Sequence, residues 1–580
     1  MNALLRFALA SAVLLTPSCM TSDAPGDDDD GGDDAGDVVG RCGDPGSHAD
    51  PAVPPATDGR ITINEVMASN ALTISDDTGV TSDWVELYNP GDEPVPLGGY
   101  SLTTDFAEPR RAIIDDSVAI PAGGHVLLWL DGEPQRGAEH MCAKLSQYGG
   151  AIGLARPDGS YIDRVVYGEQ VVDLAAARTP DGSDRWQIVW GASPGDPNPD
   201  GDGEPAPDEA SAPEPEQIPA AGDVTERILG YDEMPEIELL VDDEAAAALV
   251  ESPYTYVPGT IVFEGRAYGP VGVRLKGQNS FQPFYAKPSF RINIDEYVGG
   301  AKFLALDDLT LNNMNDDYSM MHERVAYMIA RQVGPASRSN HALVTVNGQF
   351  YGLYANVETG KWHMISRWFD DPTGPLFEGT DVDFTAPYIP SYEHQSGPDD
   401  RSMLIDLADA LTLASPDAAI AAAADYVNLS QFQDFWAMCA ITGQFDSFPF
   451  SDPGDDYFVY ADPTTQRLWL LPWGMDETFY SAAFDVGQVR SVLATNCRDS
   501  AACYQGFVDA TWDLLEMTEQ MNLAAELDRV AAQIAPHVAR DTRKRYDDAT
   551  VAEYQMQMRW FVTGRRVWLS EMLPPPSYGD

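Results

Sequence analysis

LTLNNMNDDYSMMHERVAY, residues 309–327, predicts a helix from Tyr318 to Val333 with Glu323 in its first turn. On its N-terminal side lie short runs rich in β-branched and aromatic residues: IELLVD (237–242), GTIVFEG (259–265), GVRLKG (272–277) and SFRINID (289–295). ALVTVNG (342–348) and YGLYANVE (351–358) follow on its C-terminal side, and Asn347-Gly348 between them suits a type I′ hairpin turn. Beyond residue 400 the pattern becomes helical, with helices expected over 401–413, 415–445 and 505–572. Strand patterns at YFVYAD (457–462) and RLWLLPW (467–473) interrupt it. A β-rich part with one helix, then a helical part, is a two-lobed α+β layout, assigned to residues 231–575.

Upstream, residues 58–198 have a different texture. ITINEVMASN, DWVELYNP, GGYSLTTD, GGHVLLWLD, GAIGLARPDGS and YIDRVVYG are separated by Gly, Pro, Asn and Asp at regular intervals, the signature of an all-β sandwich. Trp84 and Trp129 are expected in its core. Residues 20–57, with the run Asp27 to Asp30, and residues 199–230, dense in Pro and acid, read as a tether and a linker. Asp196, Asn198, Asp200 and Asp202 alternate as in a calcium loop, but Pro207 stands where such a loop needs its last acid, so linker is preferred.

The first 19 residues, MNALLRFALASAVLLTPSC, have one early cation and an apolar run too short to span a bilayer, as an export signal does. A small residue before Cys19 fits a lipobox, so Cys19 is the expected lipidation site and the chain is expected at the cell envelope, as an outer-membrane lipoprotein, or outside the cell. Of the other cysteines, Cys497 and Cys503 bracket a short loop that suits a disulfide, Cys42 and Cys142 are a possible second pair, and Cys439 sits in an apolar stretch as a buried thiol. With 92 Asp and Glu against 35 Lys and Arg, the net charge of −57 argues against nucleic acid as a partner.

No GxSxG, HExxH or GxxxxGK[ST] motif occurs, and the eight histidines form no cluster. That leaves carboxylates and lysines. Phosphoryl transfer needs a cation on the phosphates, an acid to hold that cation, carboxylates for a divalent metal, and a residue that aligns the acceptor hydroxyl. Lys276 ends one strand pattern and Lys287 begins the next; Glu323 is on the helix; Asp446 opens a loop after an apolar helix; Asp476 follows RLWLLPW. Singly, each has a structural alternative: Lys276 as an edge-strand surface residue, Glu323 as a first-turn acid favoured by the helix dipole, Asp446 as a helix-end turn residue. Tyr351, Tyr354, Trp362, Trp368 and Phe369 are expected to pack in the core. Arg540 to Arg545 is expected to be a solvated helix face.

Two resemblances cover the chain. Ile63-Asn64-Glu65-Val66, Asp83-Trp84-Val85-Glu86-Leu87-Tyr88-Asn89, Leu97-Gly98-Gly99-Tyr100, Ile120-Pro121-Ala122-Gly123 and Ser193-Pro194-Gly195-Asp196-Pro197-Asn198 resemble, in order, the lamin-tail domain, which implies an immunoglobulin-like sandwich that positions or binds. GVRLKGQNS, the Lys287-Pro288 segment, LTLNNMNDDYSMMHERVAY, VTVNGQFYGLYANVE, QFD and LLPWGMDETF resemble, in order, the spore-coat protein H (CotH) kinase family. That resemblance implies an atypical protein-kinase-like fold using ATP with Mg2+ or Mn2+ to phosphorylate Ser or Thr of proteins at the cell surface. Carried over by motif, it makes Lys276 and Lys287 phosphate contacts, Glu323 the helix partner, and Glu358 a residue near the lobe junction, with all four in the cofactor-binding set. Asp446 becomes the catalytic acid, and Asp476 with Asp456 the metal ligands. Two positions depart from the family pattern: Asp456 replaces an Asn, and Gly474 replaces the first acid of PWD-x-D. If that lost acid is essential, the chain is a non-catalytic surface adhesion or assembly protein.

Overall fold

A computed structural model describes residues 61–189, 192–198, 216–218 and 223–577. The export segment, Cys19, the tether, Cys42, Asp200 and Asp202 lie outside these residues. Among the described residues no helix is long and apolar enough to cross a membrane.

The first domain is a sandwich of two five-stranded sheets. One runs, in spatial order, Trp186–Val189, Ala175–Arg178, Thr62–Met67, Trp84–Tyr88, His125–Trp129. The other runs Glu216–Gln217, Tyr161–Tyr167, Gly150–Ala155, Ser101–Thr103, Ala112–Ile113. Inward residues such as Ile63, Val85, Leu102, Ile152 and Val165 fill the space between them. Trp84 and Trp129 face each other across adjacent strands and are buried, as expected. The terminal segment is clasped from beneath: the N–H of Ser193 donates to both carboxylate oxygens of Glu65, and the N–H of Gly195 donates to Glu86. Asn198 is taken up by Asn64 and Arg178 carbonyls, a structural duty in place of the calcium pattern. Cys142 is disulfide-bonded.

The expected linker 199–230 is interrupted by structure. Glu216–Gln217 adds a parallel edge strand beside Val165 and Val166. Glu226–Leu229 is a short helix whose Ile228 and Leu229 belong to the core of the next domain.

That domain opens with a closed seven-stranded barrel: Glu236–Leu240, Val257–Phe263, Arg266–Lys276, Ser289–Asn293, Asp308–Asn312, Gln349–Val357, Ser339–Val346. The last strand closes on the first in parallel, with Ile237 opposite Val344. The turn at Asn347-Gly348 has positive φ at both residues, 48° and 75°, as a type I′ hairpin requires. The predicted helix at Tyr318 begins instead at His322, because Asp317 accepts from the N–H groups of Ser319, Met320 and His322 and winds the preceding residues into a turn.

The second lobe carries a four-stranded antiparallel sheet, Glu393–Ser396, Leu376–Gly379, Tyr457–Asp462, Arg467–Pro472, surrounded by helices. The helix expected over 415–445 is two, Pro416–Ala423 and Leu429–Thr442, because Asn428 caps the second through Gln431 N–H. The stretch 505–572 is three, Ala501–Gln520, Leu523–Arg540 and Asp548–Met572, preceded by Val492–Asp499. Asn522 in the left-handed region makes the first break. Cys497 and Cys503 form a disulfide with Cα atoms 5.0 Å apart, and Cys439 is a buried free thiol. Tyr351, Tyr354 and Phe369 are core, whereas Trp362 and Trp368 are exposed: Trp362 opens the short helix Trp362–Ser366, Trp368 lies two residues past its end, and of that helix only Met364 and Ile365 turn inward.

Candidate functional site

Between barrel and helical lobe lies a cleft of about 620 Å³. Arg274 and Lys276 occupy alternate positions of one strand, so both face the same way, and Arg291 stands opposite Arg274 on the next strand. All three line the cleft from the barrel side. Asp446, Asp455, Asp456, Asp476 and Glu477 line it from the helical lobe. Glu323 enters from the helix between the lobes. Five sequence-derived candidates (Lys276, Glu323, Asp446, Asp456 and Asp476) thus share one cavity.

Lys276 and Glu323 do not meet directly. Lys276 Nζ donates to Asn312 Oδ1 at 2.8 Å, and Asn312 Nδ2 donates to Glu323 Oε1 at 2.7 Å, so one amide joins cation to acid. Nζ also sits 5.6 Å from the ring centre of Trp473. Burial lowers the Lys276 pKa, opposed by Glu323 and Asp476. Burial raises Glu323, and Asp476 adds to the rise. Glu323 Oε2 is buried with no hydrogen-bond partner.

Asp446 stands three residues past Gly443, whose left-handed φ of 68° ends the helix Leu429–Thr442. Gln444 Nε2 donates to the carbonyl of Trp473 at 2.9 Å, pinning this loop to the strand end that carries Asp476. Burial pushes Asp456 well above the usual carboxylate range, with Asp476 and Asp455 adding repulsion. Burial likewise raises Asp476, against the pull of Lys276. Gly474 and Asp456 share a volume: a Cβ at Gly474 would fall 2.0 Å from Asp456 Oδ1. The side chain at 456 therefore occupies the place where one at 474 would begin.

Lys287 and Glu358 are not in the cleft, which corrects the placement expected of them. Lys287 is buried and donates to Asp541 at 2.7 Å, beneath the turn that follows Leu523–Arg540; it faces a neighbouring cavity. Glu358 is buried against Arg338 and Arg367, 3.1 Å from Arg338 Nη2. Burial alone would raise its carboxyl, but these two guanidiniums hold it below the ordinary value. Arg338 also reaches Asp223 and Glu226, so Glu358 anchors the segment that leads into the barrel.

Sequence reading missed Asn312, Arg274, Arg291, Asp455 and Glu477. The Arg274/Lys276 alternation was available as a period-two signal; Arg291 and Asn312 needed the sheet register. Among the described residues no three acid, His or Cys side chains stand close enough to hold a metal ion by themselves. An all-oxygen set of one or two carboxylates suits Mg2+ or Mn2+, which keep waters and phosphate oxygens in their remaining positions. The unpartnered Glu323 Oε2 and the crowded acids fit a site that takes up a cation with a polyanion.

A family model described as CotH kinase protein matches residues 273–569, and one described as Lamin Tail Domain matches residues 54–169. No curated protein matches the chain.

Proposed function

Since this chain belongs to the CotH kinase protein family, whose match spans just over half of its length, we propose that it transfers the γ-phosphoryl group of ATP to a Ser or Thr hydroxyl of a protein at the cell surface. The observation that carries this reading is the polarity of the cleft, with cations on the barrel wall and carboxylates on the opposite wall. When bound, ATP with Mg2+ or Mn2+ supplies the transferable group and the cation that shares its charge. Lys276, held by Asn312, and Arg274 with Arg291 contact phosphate oxygens. Asp476 and Asp456 would hold the metal. Asp446 aligns the acceptor hydroxyl and takes its proton at the oxygen that attacks. Export and lipid attachment at Cys19, with the sandwich positioning the enzyme near its substrate, complete the proposal.

Label transfer from ATP carrying γ-labelled phosphate, with Mg2+ or Mn2+, tests it in the wild type, Asp446→Ala and Asp476→Ala. Labelling of a surface-protein fraction by the wild type and its loss in both variants is the expected result. Equal labelling in all three would reject the assigned roles. No labelling by any, across several acceptor fractions, would favour the non-catalytic surface protein, for which the missing acid at Gly474 speaks.

A further inference from the structure

Arg540 to Arg545 is not the solvated helix face its sequence suggests. It forms the turn between Leu523–Arg540 and Asp548–Met572 and is folded against the barrel. There, Lys287, Arg543 and Arg545, with the amides of Asn279, Gln282 and Asn315, line a second cavity of about 360 Å³. It adjoins the cleft: Asn279 and Asn313 border both, and the loop from Gly277 to Ala286 forms the partition. Three cations and no acid among the lining residues stand out in a chain with 92 acidic and 35 basic side chains.

Two of the cations are spoken for. Asp541 neutralises Lys287, and Asp316 pairs with Arg545 at 2.9 Å. Arg543 has no carboxylate partner among the described residues. Its Nη1 donates to the carbonyls of Tyr285 and Ala286 at 2.6 and 2.8 Å, and its plane lies 4.1 Å from the ring centre of Tyr351. Nη2 reaches Gln349 Oε1 at 3.4 Å. What remains is the Nε–H with one Nη2–H, the side-on pair of donors that matches two oxygens of a carboxylate or phosphate. A guanidinium fixed by carbonyls and an aromatic ring loses little freedom on binding. The amide side chains of Asn279 and Gln282 form no hydrogen bond among the described residues and add donors at the rim.

We propose that this cavity is an anion subsite that receives a carboxylate or phosphate group carried on the acceptor polypeptide, close to the hydroxyl that enters the cleft. The orientation, though not the anion binding, rests on reading the cleft as the phosphoryl-transfer site. The acids of the cleft wall repel an anionic segment, and the cationic cavity behind the loop is where such a segment finds compensation.

The test is fluorescence anisotropy of labelled peptides without ATP: one Ser peptide flanked by glutamates, one flanked by glutamines, one with phosphoserine in the flanks. The proteins are wild type, Arg543→Gln, Arg543→Lys and the exposed-site variant Arg545→Gln, with a non-hydrolysable ATP analogue as the control ligand. Glutamate and phosphoserine peptides should bind the wild type at least about tenfold tighter than the glutamine peptide. That margin should shrink in all three variants, with analogue affinity unchanged. Arg543→Lys keeps the charge and loses the fork, so it separates geometry from net charge. Equal binding of glutamate and glutamine peptides by the wild type overturns the proposal. So does a loss of analogue binding in Arg545→Gln, which would assign the cavity to the nucleotide. A chain that transfers no phosphate still gives every one of these readouts.

Discussion

Replacing Asp541 with Asn strips Lys287 of its only carboxylate partner among the described residues. Lys287 is 4% exposed and Asp541 is fully buried, and the ammonium lies 2.7 Å from Asp541 Oδ2. Removing one member of such a pair costs about 3–5 kcal/mol, because the other charge is left in a medium that cannot solvate it. Burial already pulls the Lys287 pKa down, and Asp541 is what opposes that pull. The mirror variant should be milder. In Lys287→Met the carboxylate keeps the N–H donors of Leu353, Arg543 and Lys544, at 3.1, 2.9 and 2.9 Å, so about 1–2 kcal/mol is expected. The double variant should recover about 1–3 kcal/mol of the summed losses, the signature of direct coupling. Urea unfolding followed by tryptophan fluorescence reads all three. At about 2 °C per kcal/mol for a domain of this size, Asp541→Asn should also melt about 6–10 °C lower. Two results would refute the reasoning. One is Asp541→Asn within about 0.5 kcal/mol of wild type. The other is Lys287→Met folding normally while its KM for ATP rises tenfold or more, which would return Lys287 to the phosphates.

Other expectations follow from the same geometry. Asn312→Leu should cut the link between Lys276 and Glu323, lowering stability by about 1–3 kcal/mol because Glu323 Oε1 loses its donor and lowering kcat by about 10- to 100-fold; an unaltered kcat in label-transfer kinetics would show the amide to be idle. Gly474→Asp should lose about 2 kcal/mol or more, since it sets a Cβ against Asp456 Oδ1 at a φ of 54°. Asp456→Gly in the same chain should restore most of that loss, and additive urea midpoints would disprove the shared volume. Burial, with Glu86 beside it, lifts Glu65 to about 8, from 4.5. The folded state therefore holds a proton that the unfolded chain releases, and the sandwich should lose stability as pH rises from 4.5 towards 8. Glu65→Gln should flatten that slope in melts of the isolated pH series; an unchanged slope would clear Glu65.

The sequence made the lobes and five of the cleft residues legible because short-range order carries them. Strand runs end at Lys276 and near Asp476, a helix presents Glu323, and each has recognisable flanks. It misled for Lys287 and Glu358, where only the third dimension decides. Lys287 precedes its strand and turns to a partner 254 positions away, while Glu358 falls one residue past a strand and meets Arg338. The barrel closure left no local mark either, for a parallel pairing between Ile237 and Val344 needs no turn signal. Helix ends left little local mark because they are set by side-chain contacts at Asp317 and Asn428 and by the left-handed backbone of Asn522.

The parallel seam between Glu236–Leu240 and Ser339–Val346 also sets a schedule for the growing polypeptide. The first strand waits about a hundred residues for its parallel partner, and the five strands up to Asn312 keep unsatisfied hydrogen-bonding margins at either side until Ser339–Val346 and Gln349–Val357 have both been made. A nascent or truncated product stopping before Ser339 keeps both margins bare and is a template for lateral association. Products that include Val357 can close the ring, because Gln349–Val357 joins Asp308–Asn312 to Ser339–Val346, and they leave no margin for a neighbour to extend.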